Sequence, residues 1–437
     1  MSAVLSAPAV WRAQKTIVVN GHTRHRHKSG PISVGFEPPQ ADTTLVFGPS
    51  ALAASIARTA TLRNAPPEML ASWGDSTLTQ VEWLIEDGTT FALSQHLQAL
   101  ADAERTSFAG RVGAGITDLL MNALGFTWRD NASCLSGSLT PHADFLYADG
   151  AVSGHGVVLA EAHGSFAASV TLAGIGREAK RKYLRQVRPH LATVSPHGKV
   201  VHGYSIAFGS KPGTAGALLH VAETLISRPR GRRQPPPQTV PMPSPETVPT
   251  SLALSTHRSN FSVMDASSIV RWIDWARDGG ERPDDASPSE FIRIPYAGQT
   301  FLCSVQVGWP FSGYPDWLDD FWYPRWWPHL RRSRMLRARR DEFTGWFVME
   351  EKAAERFLNA LSAIVRNGRD DIPESLELPR LDPAGFGFGG DGAGLALPEP
   401  EYRYALYRDG LALLGSPPPR RMVGHKVWLP REGMRTD

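Results

Sequence analysis

Asp144 and Glu161 are the two residues of this chain best placed to do chemistry together. They flank a stretch in which Asp149-Gly150 and Ser153-Gly154 signal a reversal, and the runs on either side, 142–148 (HADFLYA) and 156–162 (GVVLAEA), read as strands. The reversal centres near Val152 and Ser153, equally far from both acids. A symmetric antiparallel pairing therefore sets them opposite each other on one face, with Cβ atoms about 4.5–5.5 Å apart. Carboxylates that close repel unless a cation sits between them or one keeps its proton. A hard divalent cation is the simplest resolution, Mg²⁺ or alternatively Mn²⁺, because it takes oxygen ligands and keeps water. Along the second strand Val157, Leu159, Glu161 and His163 share a face, which brings His163 beside the pair. There it could position or deprotonate an attacking water, or add a ligand. Gly164-Ser165 is expected to turn the backbone away and let a substrate approach.

The elements that must hold this pair follow from periodicity. Leu93, Leu97 and Leu100 recur at helical spacing, and a longer helix is expected from about Ser107 to Leu124, with Gly125 at its exit. Gly110, Gly113 and Gly115 weaken that helix and make sense where another element packs closely. Room for one more strand lies between Thr127 and Leu139. After the hairpin come a helix from about Arg177 to Leu191, a strand over Val200–Phe208, and a final helix near Gly213–Ile226. The first of these helices carries Arg177, Arg181, Arg185 and Arg188 on one face, with Lys180 and Lys182 close by, and Tyr183, Leu184, Val187 and Leu191 on the packing face. By itself that is a solvated amphipathic helix; beside a carboxylate pair it becomes a candidate for phosphate-backbone contact.

The run Pro141-His-Ala-Asp144-Phe-Leu-Tyr, a gap, then Leu159-Ala-Glu161-Ala-His163 resembles the core motif of the PD-(D/E)xK nuclease superfamily, the restriction-endonuclease-like fold. The resemblance spans roughly residues 100–226 and implies an α/β fold with an α-β-β-β-α-β core. It further implies that Asp144 and Glu161 bind Mg²⁺ and that His163 stands where the family carries a lysine. Gln186 falls near a glutamine that some members use, while Tyr183 is not at the companion position. A neutral histidine can serve as a base near pH 7, and Lys180 or Lys182 are alternative sources of the missing charge. The expected activity is metal-dependent hydrolysis of phosphodiester bonds in nucleic acid, DNA ahead of RNA with the choice left open, by analogy in bacterial defence or DNA processing. The contrasting expectation is a decayed nuclease fold that binds nucleic acid or protein without cutting. Expected nucleic-acid contacts are Arg177, Lys180, Arg181, Arg185, Gln186 and Arg188.

A competing site could be built from histidines, since seven of the 14 lie between His142 and His220, but their scatter lacks tight ligand spacing. The tract His22–Lys28 resembles a metal-binding tract by composition alone, within a stretch (20–42) that reads as irregular. The glycine-rich segment 385–394 reads as a flexible loop. Residues 228–250 hold eight prolines in 23 residues and four arginines, and read as an extended linker. It divides the chain into a partly irregular N-terminal region (1–90), the core (91–227) and a C-terminal α+β domain (251–437). That last part is expected to hold a helix over 263–277, a hairpin at Phe291–Tyr296 and Thr300–Val307, and a helix over Glu350–Val365. Eight of the 13 tryptophans lie between Trp272 and Trp346, and a basic run over Arg331–Arg340 falls among them. Base stacking, a protein or homo-oligomer contact, and plain packing all remain open readings of it.

Composition sets the outer bounds. A length of 437 residues permits more than one core. Cys134 and Cys303 are too few for a disulfide framework or a cysteine zinc site. No apolar run approaches a membrane span and no basic segment precedes a long apolar one at the start, so a cytoplasmic protein is expected. The net charge of +3 conceals a division, with 5 basic against 11 acidic residues over 51–150 and 12 against 4 over 151–250.

Overall fold

The computed structural model describes residues 13–27, 41, 43–62, 65–66, 69–70, 77, 80–135, 141–148, 156–225, 246–285, 288–304, 346–389, 403–415 and 422–436. Its centre is a mixed sheet of nine strands: β1 (Lys15–Arg26), β2 (Thr44–Phe47), β3 (Arg129–Asn131), β4 (Phe145–Ala148), β5 (Gly156–Ser165), β6 (Val194–Ser195), β7 (Gly198–Ser210), β8 (Ala217–Leu225) and β9 (Phe386–Phe388). They run in the order β9-β2-β1-β8-β7-β5-β4-β3, with β6 paired to β7. The β5–β7 and β1–β8 pairs are parallel and the others antiparallel. Helices α1 (Pro49–Ala60), α2 (Asp102–Ala123), α3 (Leu172–Lys182), α4 (Thr250–Val263), α5 (Ser267–Asp278) and α6 (Glu351–Asn367) surround it. The fold is thus α/β, a mixed central sheet flanked by helices, accompanied by a separate antiparallel sheet built from C-terminal residues.

Strand β5 reads GVVLAEA and is buried along its first six residues, as expected of a central strand covered on both faces. Helix α2 crosses it at very short range. A Cβ on Gly164 would stand 1.8 Å from the Ala109 carbonyl oxygen, and one on Gly113 2.5 Å from the Gly164 nitrogen. Gly115 makes the equivalent approach to Ile56 of α1, whereas Gly110 faces open space. Two of the three glycines therefore weaken the helix in return for close packing. Gly164 itself continues β5 instead of turning the chain away, contrary to the sequence expectation.

Other expectations change as well. The segment expected as a helix near Gly213–Ile226 is strand β8, antiparallel to β7 and parallel to β1. Its Ala and Leu content favours a helix locally, but Gly213 (φ 73°) and Gly216 (φ 114°) reverse the chain and deliver it to the β7 edge. Residues 20–26 are part of β1, not irregular, and Phe386–Phe388 is an edge strand, not loop. Leu93, Leu97 and Leu100 belong to a short 3₁₀ turn, Gln95–Ala99, and its flank. The hairpin tip at 149–155, the stretch 226–245, residues 390–394, and the Trp- and Arg-rich residues 305–345 lie outside the described residues.

The second sheet has seven strands in the order Tyr404–Leu406, Leu411–Leu414, Trp346–Glu350, Gln299–Ser304, Ser289–Tyr296, Gly424–Leu429 and Gly433–Thr436. The expected hairpin turns at Ala297 (φ 47°) and Gly298 (φ 76°), the positive-φ pair that a two-residue reversal demands. Helix α6 ends on Gly368 at φ 90°, as its Asn-Gly exit implies. One apolar core contains residues from both sides of the proline-rich stretch, including Leu52, Ile116, Leu252 and Phe357.

Candidate active site

Phe145 pairs with Ala160 in the β4–β5 ladder, so one step further along the register Asp144 stands opposite Glu161. Asp144 occupies the bend just before β4, and its Oδ2 accepts the Ala162 N–H at 2.9 Å. Glu161 is buried, and its Oε1 accepts from Lys182 Nζ at 2.7 Å. Burial pushes the Glu161 carboxyl up to about 8, and the charge of Asp144 pushes the same way while Lys182 opposes them. Even against the Lys182 ammonium the balance is upward, so this carboxyl holds a proton more readily than a solvated glutamic acid. Oε2 of Glu161 is buried without a hydrogen-bond partner, and so is Oγ of Ser205, its register partner on β7.

These features suit a hard cation. Two adjacent carboxylates, one with an unpartnered oxygen, are oxygen donors that a divalent ion would bind, completing its shell with water. Among the described residues no group of three or more His, Cys, Asp or Glu side chains could hold a metal ion, so side chains of these types supply two ligands at most. The scattered-histidine site therefore does not assemble among them.

His163 projects from the same face of β5 as Glu161, and its Nδ1 lies 4.0 Å from Glu178 Oε1 on α3. Burial lowers the affinity of the imidazole for a proton, and Lys182 and Arg181 add to this against the pull of Glu178. Helix α3 begins with Thr171, whose Oγ1 accepts the Gly174 N–H, and continues beyond Lys182 through a widened π turn, Tyr183–Val187, and a 3₁₀ turn, Arg188–His190. Through that turn Gln186 Nε2 donates to the His142 carbonyl at 3.0 Å, and His190 Nε2 meets the Pro141 carbonyl at 2.9 Å. The helix thereby pins the segment leading into Asp144. The turn also corrects the expected packing face: Tyr183, Val187 and Leu191 are buried, while Leu184 is exposed.

Of the expected nucleic-acid contacts, Arg177, Lys180, Arg181 and Arg185 are exposed, and Gln186 and Arg188 are half-buried. Arg181 is bound to Glu178, with Nε 3.0 Å from Oε2. Arg177, Lys180, Arg185 and Arg188 have no carboxylate partner among the described residues. Strand β1 adds to this surface, because His25 stacks on Tyr183 at 4.6 Å between centroids and feels the charges of Lys180 and Arg188. Glu178 was not anticipated from sequence. Its spacing of four from Lys182 placed both on the helix flank that meets β5, and that was the available signal. Protein-family models, curated proteins and solved structures were all compared with this chain, and none matches it.

Proposed function

We propose that this protein is a metal-dependent nuclease that hydrolyses phosphodiester bonds, with DNA as the substrate and Mg²⁺ or Mn²⁺ as the cofactor. The carrying observation is the pairing of half-buried Asp144 with buried Glu161, with Lys182 bonded to Glu161 from the next helix. The element order supports the same reading, since α2, β3, β4, β5, α3 and β7 run as α-β-β-β-α-β, the order of a restriction-endonuclease-like core, with the two-residue β6 inserted before β7. In this reading Asp144 and Glu161 hold the cation. When bound, it supplies positive charge to the phosphate in the transition state and acidity to a nearby water.

The remaining work falls to the chain. Lys182 sets an ammonium next to Glu161, within reach of a phosphate oxygen lying over the pair. It thus takes the role that the sequence resemblance gave to the position of His163. His163, largely neutral near pH 7, accepts a proton as the water oxygen bonds to phosphorus and the ester oxygen leaves. Glu178 then steadies the imidazolium. The four unpaired cations of the helix contact phosphates flanking the cut. A role in defence or DNA processing would fit such an enzyme.

A second reading, a nuclease fold that binds without cutting, is favoured because no third His, Cys, Asp or Glu joins the two carboxylates among the described residues. A plasmid nicking assay with Mg²⁺ and with Mn²⁺ separates the two. Wild type is expected to nick, and Asp144→Ala and Glu161→Ala to lose at least about a hundredfold in rate. Lys182→Met should slow cleavage while leaving DNA affinity within about twofold, as expected of a group acting mainly in the transition state. No nicking with either metal, with DNA affinity intact in wild type and in both alanine variants, would establish the binding-only reading.

A further inference from the structure

A second set of chemically competent side chains meets where β3, the β6–β7 turn and the start of α4 converge. His197 Nε2 lies 3.0 Å from Asp130 Oδ2, and His197 Nδ1 lies 2.7 Å from Ser251 Oγ. A carboxylate can only accept, so in the neutral ring Nε2 carries the proton and Nδ1 presents its lone pair to the serine hydroxyl. The members are held from outside the chain of bonds. Asp130 Oδ1 accepts the Asn131 N–H at 2.7 Å. The His197 N–H donates to Ser195 Oγ at 3.1 Å, and that hydroxyl donates to the Gly198 carbonyl at 2.7 Å, closing a tight turn with Gly198 at φ 126°. His197 is buried while Ser251 is half-buried, which shelters the base and leaves the hydroxyl at the boundary with solvent.

The position of Ser251 adds a further component. It is the second residue of a 14-residue helix that has no side-chain cap. The Thr250 N–H is spent on the Glu374 carbonyl at 3.0 Å, and the positive end of the helix dipole lies at this terminus. Hydroxyl, base and orienting carboxylate therefore occur together at a helix N-terminus.

We propose that Ser251, His197 and Asp130 form a nucleophilic acyl-transfer site for a carboxylic ester, distinct from the Asp144–Glu161 pair. Ser251 Oγ bonds to the ester carbonyl carbon as its proton passes to His197 Nδ1. The carbonyl oxygen becomes an oxyanion near the positive end of the α4 dipole. The carbon–oxygen bond to the alcohol then breaks and the alcohol leaves with the proton from His197. Water repeats the sequence on the acyl-serine, giving up a proton to His197, and releases the carboxylic acid and free Ser251. Asp130 is a positioning residue that fixes the tautomer.

The test uses the full-length protein with a fluorophosphonate probe and with p-nitrophenyl acetate. Wild type should incorporate one probe per chain, on Ser251 by peptide mass spectrometry, as the Oγ–P bond forms and fluoride leaves. It should also hydrolyse the ester. Ser251→Ala and His197→Ala should each reduce labelling and hydrolysis by roughly a hundredfold or more. Asp130→Asn should lower kcat with little change in KM, a split that loss of a purely structural bond would not produce. Asp144→Ala should label like wild type, so failure here is separate from failure of the nuclease reading. An unlabelled wild type, label on another residue, or equal labelling of the melting-matched Ser251→Ala protein would overturn the proposal.

Discussion

At the residue scale Glu161 is the most consequential ionisable group of the candidate site. Burial and the neighbouring Asp144 raise its carboxyl from 4.5 to about 8, so between those values the folded protein binds more protons than the unfolded chain. Stability gained from this group is full below about 4.5 and is lost as pH rises through about 8, with a slope of at most about 1.4 kcal/mol per pH unit. Thermal melts without divalent metal should therefore decline over that window. Glu161→Gln, which keeps the shape without the ionisation, should flatten the decline. Adding Mg²⁺ at pH 8 should raise the melting temperature of wild type but not of Glu161→Gln, because the cation replaces the proton between the carboxylates. An unchanged slope in Glu161→Gln would place the titration elsewhere.

At the element scale the site depends on how closely α2 and α3 approach the sheet. The contact of α2 with β5 requires hydrogen at Gly164, where any Cβ would meet the Ala109 backbone at 1.8 Å. Gly164→Ala should cost about 1–3 kcal/mol or more in urea unfolding, since main chain must move. Gly110→Ala is the informative contrast. Nothing lies within 4 Å of that exposed position, so alanine should stabilise the helix by about 0.5–1 kcal/mol. Sequence alone raised all three helix glycines as signs of close packing and could not say which ones touch. Periodicity likewise located α3 but not its π turn, and that turn aims Gln186 at His142.

At the scale of the whole molecule, a buried charge network joins parts distant in sequence. Arg58 of α1 reaches Asp409 at 2.7 Å and Asp118 of α2 at 3.4 Å. Arg129 of β3 lies 3.6 Å from Asp118, to which Tyr147 of β4 also donates at 3.0 Å. All four charged side chains are fully buried, so each depends on the others for compensation. Asp409 lies between two strands of the second sheet, which ties that sheet to the helices and strands that carry the candidate site. Asp409→Ala should leave Arg58 with Asp118 as its one carboxylate partner among the described residues and cost about 3 kcal/mol. Far-UV circular dichroism and tryptophan fluorescence should report a single coincident urea transition in wild type.

What the sequence determined by itself is local. The Asp-Gly and Ser-Gly signals between two β-like runs set an expected register with Asp144 opposite Glu161, and the β4–β5 pairing of Phe145 with Ala160 agrees with it. Apolar periodicity also located α2 and α6 to within a few residues. Only the tertiary structure decided the rest. It chose strand over helix for Ala217–Leu225, because an open sheet edge satisfies backbone groups that local propensity does not see. It brought Lys182 to Glu161 across 21 residues, joined Asp130, His197 and Ser251, and placed Asp409 on Arg58 across 351. Such meetings depend on how elements pack, and packing distances have no period to be read along a chain.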